Sequence, residues 1–171
     1  IAASTAISPE SKNYAYEAGK KALSSYLDRQ GERALVELTD IKGNYRIKRE
    51  IEGRPKVSIV IYSQDQRALA ICLKSIYETT SYENREIIVV NAEGINKVDG
   101  VGISEKPGLV FLEGTGVGRN PANAYNLGAG KSGGEYILFL NERIEARETG
   151  WLEAMLENIQ RNEIGIVGGE I

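Results

Sequence analysis

The chain has 171 residues and a formal net charge of -3, enough to bury one good core with a flank attached. Lys, Arg, Asp and Glu are mixed along it without a basic stripe, which argues against a nucleic-acid partner. There is no histidine and a single cysteine, Cys72, so histidine triads, histidine or thiolate zinc sites and an intrachain disulfide are excluded, leaving carboxylates, amides, hydroxyls, Lys, Arg and backbone dipoles for chemistry.

In chain order, Ser8-Pro9-Glu10 reads as a helix entry, with Pro at the first helical position. Tyr14, Ala18, Ala22, Tyr26 and Leu27 recur at helical spacing until Gly31 closes the segment. Residues 34–38 and 45–51 read as short strands around a Lys42-Gly43-Asn44 turn. Gly53-Arg54-Pro55 marks a boundary, because Pro disfavours helix before it and the composition turns apolar after it. The expected organisation is a flanking helix, hairpin and linker over residues 1–54 and a main domain over 55–171.

Within that domain, residues 57–62 form an apolar run suited to a strand covered on both faces. Leu69, Cys72, Leu73 and Ile76 fall on one helical face, where Cys72 reads as a small core side chain. Residues 86–90 and 109–112 are the next two strands, and Gly114-Thr115-Gly116-Val117-Gly118 is a glycine-rich turn. Asn120-Pro121 opens a helix through Leu127, and residues 136–140 form a fourth strand. Trp151, Leu152, Met155, Leu156 and Ile159 mark the apolar face of a further helix, and residues 164–167 read as a fifth strand. The alternation of strand and helix predicts an α/β fold with a mostly parallel sheet flanked by helices, whose ligands gather beyond the carboxyl ends of the strands.

Two phosphate-loop signals fail as motifs, although the glycine-rich turn feeding a helix N-terminus still offers backbone amides to a diphosphate, beside its plainer reading as a loop. Gly130-Lys131-Ser132 has the tail of a P-loop, but Tyr125 stands where its first glycine belongs, and Arg119 stands where the dinucleotide fingerprint begun by Gly114 and Gly116 needs its third. The stretch Asn141 to Glu145 is more informative, since it places acids directly after a buried strand, where two oxygen donors would suit Mg²⁺ or Mn²⁺ bridging a diphosphate. No apolar run approaches the roughly 20 residues that span a bilayer, so the expected compartment is the cytoplasm or the inner face of the membrane. The chain stops inside what reads as a strand, and is expected to be part of a larger multidomain protein.

Val57-Ser58-Ile59-Val60-Ile61, Cys72-Leu73-Lys74-Ser75-Ile76, Glu86-Ile87-Ile88-Val89-Val90-Asn91, Gly134-Glu135-Tyr136-Ile137-Leu138-Phe139-Leu140-Asn141, Trp151-Leu152-Glu153-Ala154-Met155 and Gly165-Ile166-Val167-Gly168-Gly169 together resemble the family 2 glycosyltransferases of the GT-A fold. Tyr14 to Leu23 is similar to the linker helix that precedes such domains in bacterial glycan-assembly enzymes. The resemblance implies that the chain binds a nucleotide-diphospho-sugar and that the sugar passes with inversion to a glycan or lipid-linked acceptor hydroxyl, in surface polysaccharide or glycoconjugate synthesis. It implies nucleotide-sugar contacts at Asp65, Asn91, Asn126, Asn141 and Arg143, and a Mg²⁺ or Mn²⁺ held by Glu142 with Glu145.

The match has departures. Asn91-Ala92 stands where the family has Asp-Asn, and Arg143 occupies the last position of the metal motif, where a guanidinium cannot ligate a cation and would instead neutralise phosphate. No general base can be named. The competing expectation is a non-catalytic, degenerate GT-A-like domain serving as a scaffold or partner surface in a larger enzyme.

Overall fold

Proline at the first helical position and glycine just past the end bracket the first helix, α1 (Pro9–Gln30). Gly31 takes φ 73°, a left-handed conformation open to glycine without strain, and its amide bonds the Asp28 carbonyl at 3.1 Å to close the last turn. The structure, a computed structural model, describes residues 9–91, 106–114 and 120–169. These residues fall into two compact units, one built from the chain up to Ile51 together with the segment from Ala154 onward, the other running from Glu52 to Glu153.

In the first unit, α1 is followed by an antiparallel pair, β1 (Ala34–Leu38) and β2 (Tyr45–Arg49), with Val36 opposite Ile47. Gly43 turns the hairpin at φ 90°. The second strand ends at Arg49, two residues short of the expected Ile51. Leu27 and Val36 are buried, and the Tyr45 hydroxyl bonds the Tyr16 carbonyl at 3.2 Å, which ties the hairpin to the helix.

The second unit is the α/β domain. β3 (Val57–Ser63) is buried along its whole length, as its apolar run requires. α2 (Gln66–Thr79) buries Leu69, Cys72, Leu73 and Ile76, the four residues whose spacing marked its inner face. β4 (Arg85–Asn91) and β5 (Leu109–Glu113) follow, then α3 (Pro121–Ala129), β6 (Tyr136–Asn141) and α4 (Trp151–Ile159), the last divided between the two units. The four strands β3 to β6 form one wholly parallel sheet in the order β5-β4-β3-β6. Its registers pair Ser63 with Asn91 and Tyr62 with Asn141, so the chain ends of three strands lie side by side.

Two local devices fix this sheet. α3 comes against it at Gly128, where a Cβ would run into Val60 Cγ1 and sit 3.2 Å from Val90 Cγ2. At the opposite end, the Glu86 carboxylate accepts from Ser58 Oγ at 2.6 Å, Gly133 N at 2.7 Å and Lys56 Nζ at 2.5 Å, while Ser58 Oγ accepts from Gly134 N at 2.9 Å. That knot holds the entry to β6 against β3 and β4.

The expected fifth strand does not form. Residues 164–169 have no regular structure, and Ile166 is almost fully exposed. An apolar segment becomes a strand only against a ladder partner, and the described residues give this one none.

Candidate functional site

The turn from β3 into α2 carries the first candidate. Asp65 has the extended backbone of an N-cap, φ -127° and ψ 108°, and its Oδ1 accepts from the amides of Arg67 at 2.9 Å and Ala68 at 3.2 Å. The Ala68 and Arg67 amides hold its carboxyl below the usual range, and the charges of Arg143 and Arg67 act in the same direction. Asp65 is therefore the helix cap, a role that Asp fills by accepting from otherwise orphaned amides.

The second group follows β6. Arg143 N donates to Asn141 Oδ1 at 2.9 Å and Ile144 N to the Asn141 carbonyl at 3.1 Å, so Asn141 locks a tight turn by both side chain and backbone. This turn sends Glu142 inward, where it is 8% exposed. Its Oε2 accepts from the amides of Gln64 at 2.9 Å and Asp65 at 3.1 Å. The Arg143 side chain remains 71% exposed, with its guanidinium 3.6 Å from Asp65 Oδ2.

Between these turns lies a cleft of about 610 Å³, lined by Tyr62, Gln64, Asp65, Gln66, Pro121, Tyr125, Asn141, Glu142 and Arg143. Its aromatic wall is ordered. Tyr125 packs edge-on to Tyr62 with ring centres 6.5 Å apart and lies 5.2 Å from the Phe139 ring, and its hydroxyl donates to the Leu140 carbonyl at 3.2 Å. Gln64 Nε2 donates to the Tyr62 hydroxyl. Burial, helped by the Glu142 charge, pushes the Tyr125 phenol above its ordinary range and keeps it neutral.

Of the residues singled out in the sequence, the structure brings Asp65, Asn141, Glu142 and Arg143 to this cleft. Asn91, Asn126 and Glu145 are not among its lining. Asn91 is buried at the end of β4, with its carbonyl accepting from Gly114 N at 2.8 Å. Asn126 and Glu145 are exposed. Sequence reasoning missed Tyr62, Gln64, Gln66, Pro121 and Tyr125; the signal available was their position, at a strand end or the first turn of a helix facing the same crevice. The Gly114 to Gly118 turn lies largely outside the described residues. Gly130-Lys131-Ser132 forms the turn after α3, where the three amides donate to the Asn126, Gly128 and Ala129 carbonyls and Ser132 Oγ to the Gly128 carbonyl, so none of the three amides is held open for a phosphate.

The metal expectation fares differently from the cleft. Among the described residues, no group of three or more Asp, Glu, Cys or His side chains is placed to hold an ion. Asp65 Oδ1, Glu142 Oε2 and Asn141 Oδ1 already accept from backbone amides, and the Arg143 cation stands beside them. This donor set does not fit a prebuilt divalent site, which needs several oxygens converging on one point. Cys72 is equally unsuited to chemistry, since burial, then the Glu142 and Glu145 charges, push its thiol up to about 12.

Comparison with known proteins agrees with the fold and its position on the chain. The profile described as Glycosyl transferase family 2 matches residues 57–171. The O-antigen biosynthesis protein RfbC of Myxococcus xanthus is 34% identical over 158 residues, which is 90% of this chain and 12% of RfbC. The uncharacterized protein y4gI of Sinorhizobium fredii is 32% identical over 178 residues, 98% of this chain and 19% of that protein. The chain thus spans less than a fifth of either relative. Among solved structures, the mannosyltransferase PcManGT from Pyrobaculum calidifontis, in complex with GDP-Man and Mn²⁺, superposes with a TM-score of 0.56 at 17% identity, over 91% of this chain and 44% of that one.

Proposed function

The chain belongs to glycosyl transferase family 2, and from that premise we propose that the cleft between the β3 and β6 turns binds the nucleotide-diphosphate part of a sugar donor. One observation carries the reading: the cleft opens beyond the carboxyl ends of parallel strands, the crevice where such sheets take their ligands. Its size of about 610 Å³ suits a nucleotide-sized molecule, and its aromatic wall offers Tyr62 and Tyr125 to a flat or apolar moiety. Arg143 is the cation among its lining residues.

In this reading Asp65, Asn141 and Arg143 meet the donor at the cleft, with Asn91 and Asn126 as outer contacts to its base or ribose and its sugar. The sugar then passes with inversion to a glycan or lipid-linked acceptor hydroxyl as its bond to the diphosphate breaks and the nucleoside diphosphate leaves, while a carboxylate base outside the described residues accepts the hydroxyl proton. The relationship to RfbC supports a place in O-antigen or related polysaccharide assembly as part of a longer protein, at the cytoplasmic face where nucleotide sugars are found. No helix among the described residues is long and apolar enough to cross a membrane. Mn²⁺ accompanies GDP-Man in the archaeal neighbour; here no step is assigned to a cation.

The alternative, a non-catalytic GT-A-like domain serving as a scaffold, draws on the commitment of Asp65 and Glu142 to backbone amides. Calorimetric titration of the purified chain with UDP, GDP and dTDP separates the two. Saturable 1:1 binding of one of them supports the donor site, and absence of binding by a chain shown to be folded supports the scaffold.

A further inference from the structure

We propose that the cleft neutralises the donor diphosphate with the Arg143 guanidinium in place of a divalent cation, and that Glu142 is a positioning residue rather than a metal ligand. The inference rests on the reading of the cleft as a nucleotide-diphosphate site. A diphosphate must find positive charge or free donors, and five backbone amides of the turn after β3 and the starts of α2 and α3 already have side-chain acceptors. Glu142 Oε2 occupies those of Gln64 and Asp65, Asp65 Oδ1 those of Arg67 and Ala68, and Asn120 Oδ1 that of Ala122 at the start of α3, where Pro121 has none to give.

Among the described residues that line the cleft, Arg143 is the one cation available to phosphate. Its backbone is pinned by Asn141, so its side chain starts from a fixed point. Its contact with Asp65 is 3.6 Å long between groups 71% and 42% exposed, a solvated pair that an anion of higher charge displaces at little cost. A guanidinium also presents paired N–H groups in the spacing that phosphate oxygens accept. A divalent ion entering the same space would meet that guanidinium's charge and oxygens already engaged with amides.

Glu142 serves the site indirectly. Its carboxylate bridges two strand ends, joining the turn after β6 to the turn after β3, and so sets the spacing between Arg143 and Asp65. Removing a positioning clasp disturbs folding or geometry, whereas removing a metal ligand leaves a folded chain that has lost only its response to metal.

The test is calorimetric titration of the full chain with UDP, GDP and dTDP, each in EDTA and each with excess Mn²⁺, repeated for Arg143→Gln, Arg143→Lys and Glu142→Gln. The nucleotide that binds is expected to do so in EDTA, with Mn²⁺ changing its affinity less than about threefold. Arg143→Gln is expected to weaken it at least about tenfold and Arg143→Lys less, since charge survives without the fork. Glu142→Gln, which keeps an acceptor oxygen without the charge, is expected to weaken binding by the same factor in EDTA and in Mn²⁺, because a clasp acts through geometry; a loss seen only in the Mn²⁺ titration would make Glu142 a metal ligand and overturn this inference. Binding that requires Mn²⁺, or that survives Arg143→Gln unchanged, overturns this inference and leaves the nucleotide site standing. No binding by folded parent chain in either condition overturns both.

Discussion

Replacing Glu142 by alanine removes a carboxylate that spans the two turns flanking the cleft, and the consequence follows from its contacts. Two backbone amides, at 2.9 and 3.1 Å, lose a charged acceptor. A hydrogen bond to a charged group contributes about 1.5–3 kcal/mol, and the lower value applies where the neighbouring cleft lets water replace the lost acceptor. Two bonds at that value give a loss of about 3 kcal/mol. Glutamine retains an oxygen acceptor without charge, and its loss is about half as large, roughly 1.5 kcal/mol. Urea unfolding of the purified chain, followed by fluorescence of its single tryptophan, measures this directly. Trp151 Nε1 donates to Thr80 Oγ1 at 2.9 Å within the same unit, so its signal reports on that unit's unfolding. With a slope of about 2 kcal/mol per molar urea, the midpoint falls by about 1.5 M in Glu142→Ala. A shift below about 0.3 M would show that water replaces the carboxylate at no cost, and the clasp argument would be wrong.

Gly128→Ala tests how closely α3 approaches the sheet. The helix gains about 0.5–1 kcal/mol of propensity, but the methyl group meets Val60 and Val90, and overpacking costs typically about 1–3 kcal/mol. Net destabilisation of about 1 kcal/mol is expected in the same urea assay; an equally stable variant would mean that α3 moves away freely. Glu86 tests the polar knot below the sheet. Burial raises its carboxyl pKa, but the Lys56 and Ser58 hydrogen bonds and the Gly133 amide outweigh burial and leave it below its ordinary 4.5. A carboxyl depressed by folding stabilises the native state fully above 4.5 and loses that contribution as pH falls through the depressed value. The stability gap between the parent and Glu86→Gln should therefore be wide at neutral pH and narrow steadily below 4.5; a gap unchanged by acid would remove the carboxylate's charge from the account.

The residues most readable in the sequence are those whose surroundings are decided locally or by burial alone. The i, i+3, i+4, i+7 set on α2 is wholly buried, and the apolar run of β3 lies in the sheet interior, because periodicity records which face meets the core. Asp65 was found by its place after a strand, and the cap it forms was also legible, since Asp directly before a helical pattern accepts from the amides two and three residues on. Glu142 was not legible in the same way: the amides it holds are 78 and 77 residues earlier in the chain, and no local pattern encodes a partner brought near only by parallel pairing of β3 with β6. Residues 164–167 show the converse, a strand-like composition that lacks a ladder partner among the described residues.

The turn after β6 explains why a sequence written as Asn141-Glu142-Arg143 yields a clasp and a cation rather than a pair of ligands. Asn141 caps its own turn through both Oδ1 and its carbonyl, and so fixes the backbone on which the next two side chains stand. On such a turn neighbouring side chains diverge, and here Glu142 turns toward the β3 end while Arg143 turns to the solvent-filled cleft. The acid gives one carboxylate oxygen to two amide donors, and the base stands exposed beside it in the lining of the cleft. In the proposed reading of the cleft, positive charge faces the diphosphate from a side chain in place of an ion, and an adjacent carboxylate holds the rim. In this chain the two requirements fall on consecutive residues, so substitution at Glu142 should alter the geometry of the site and substitution at Arg143 its charge.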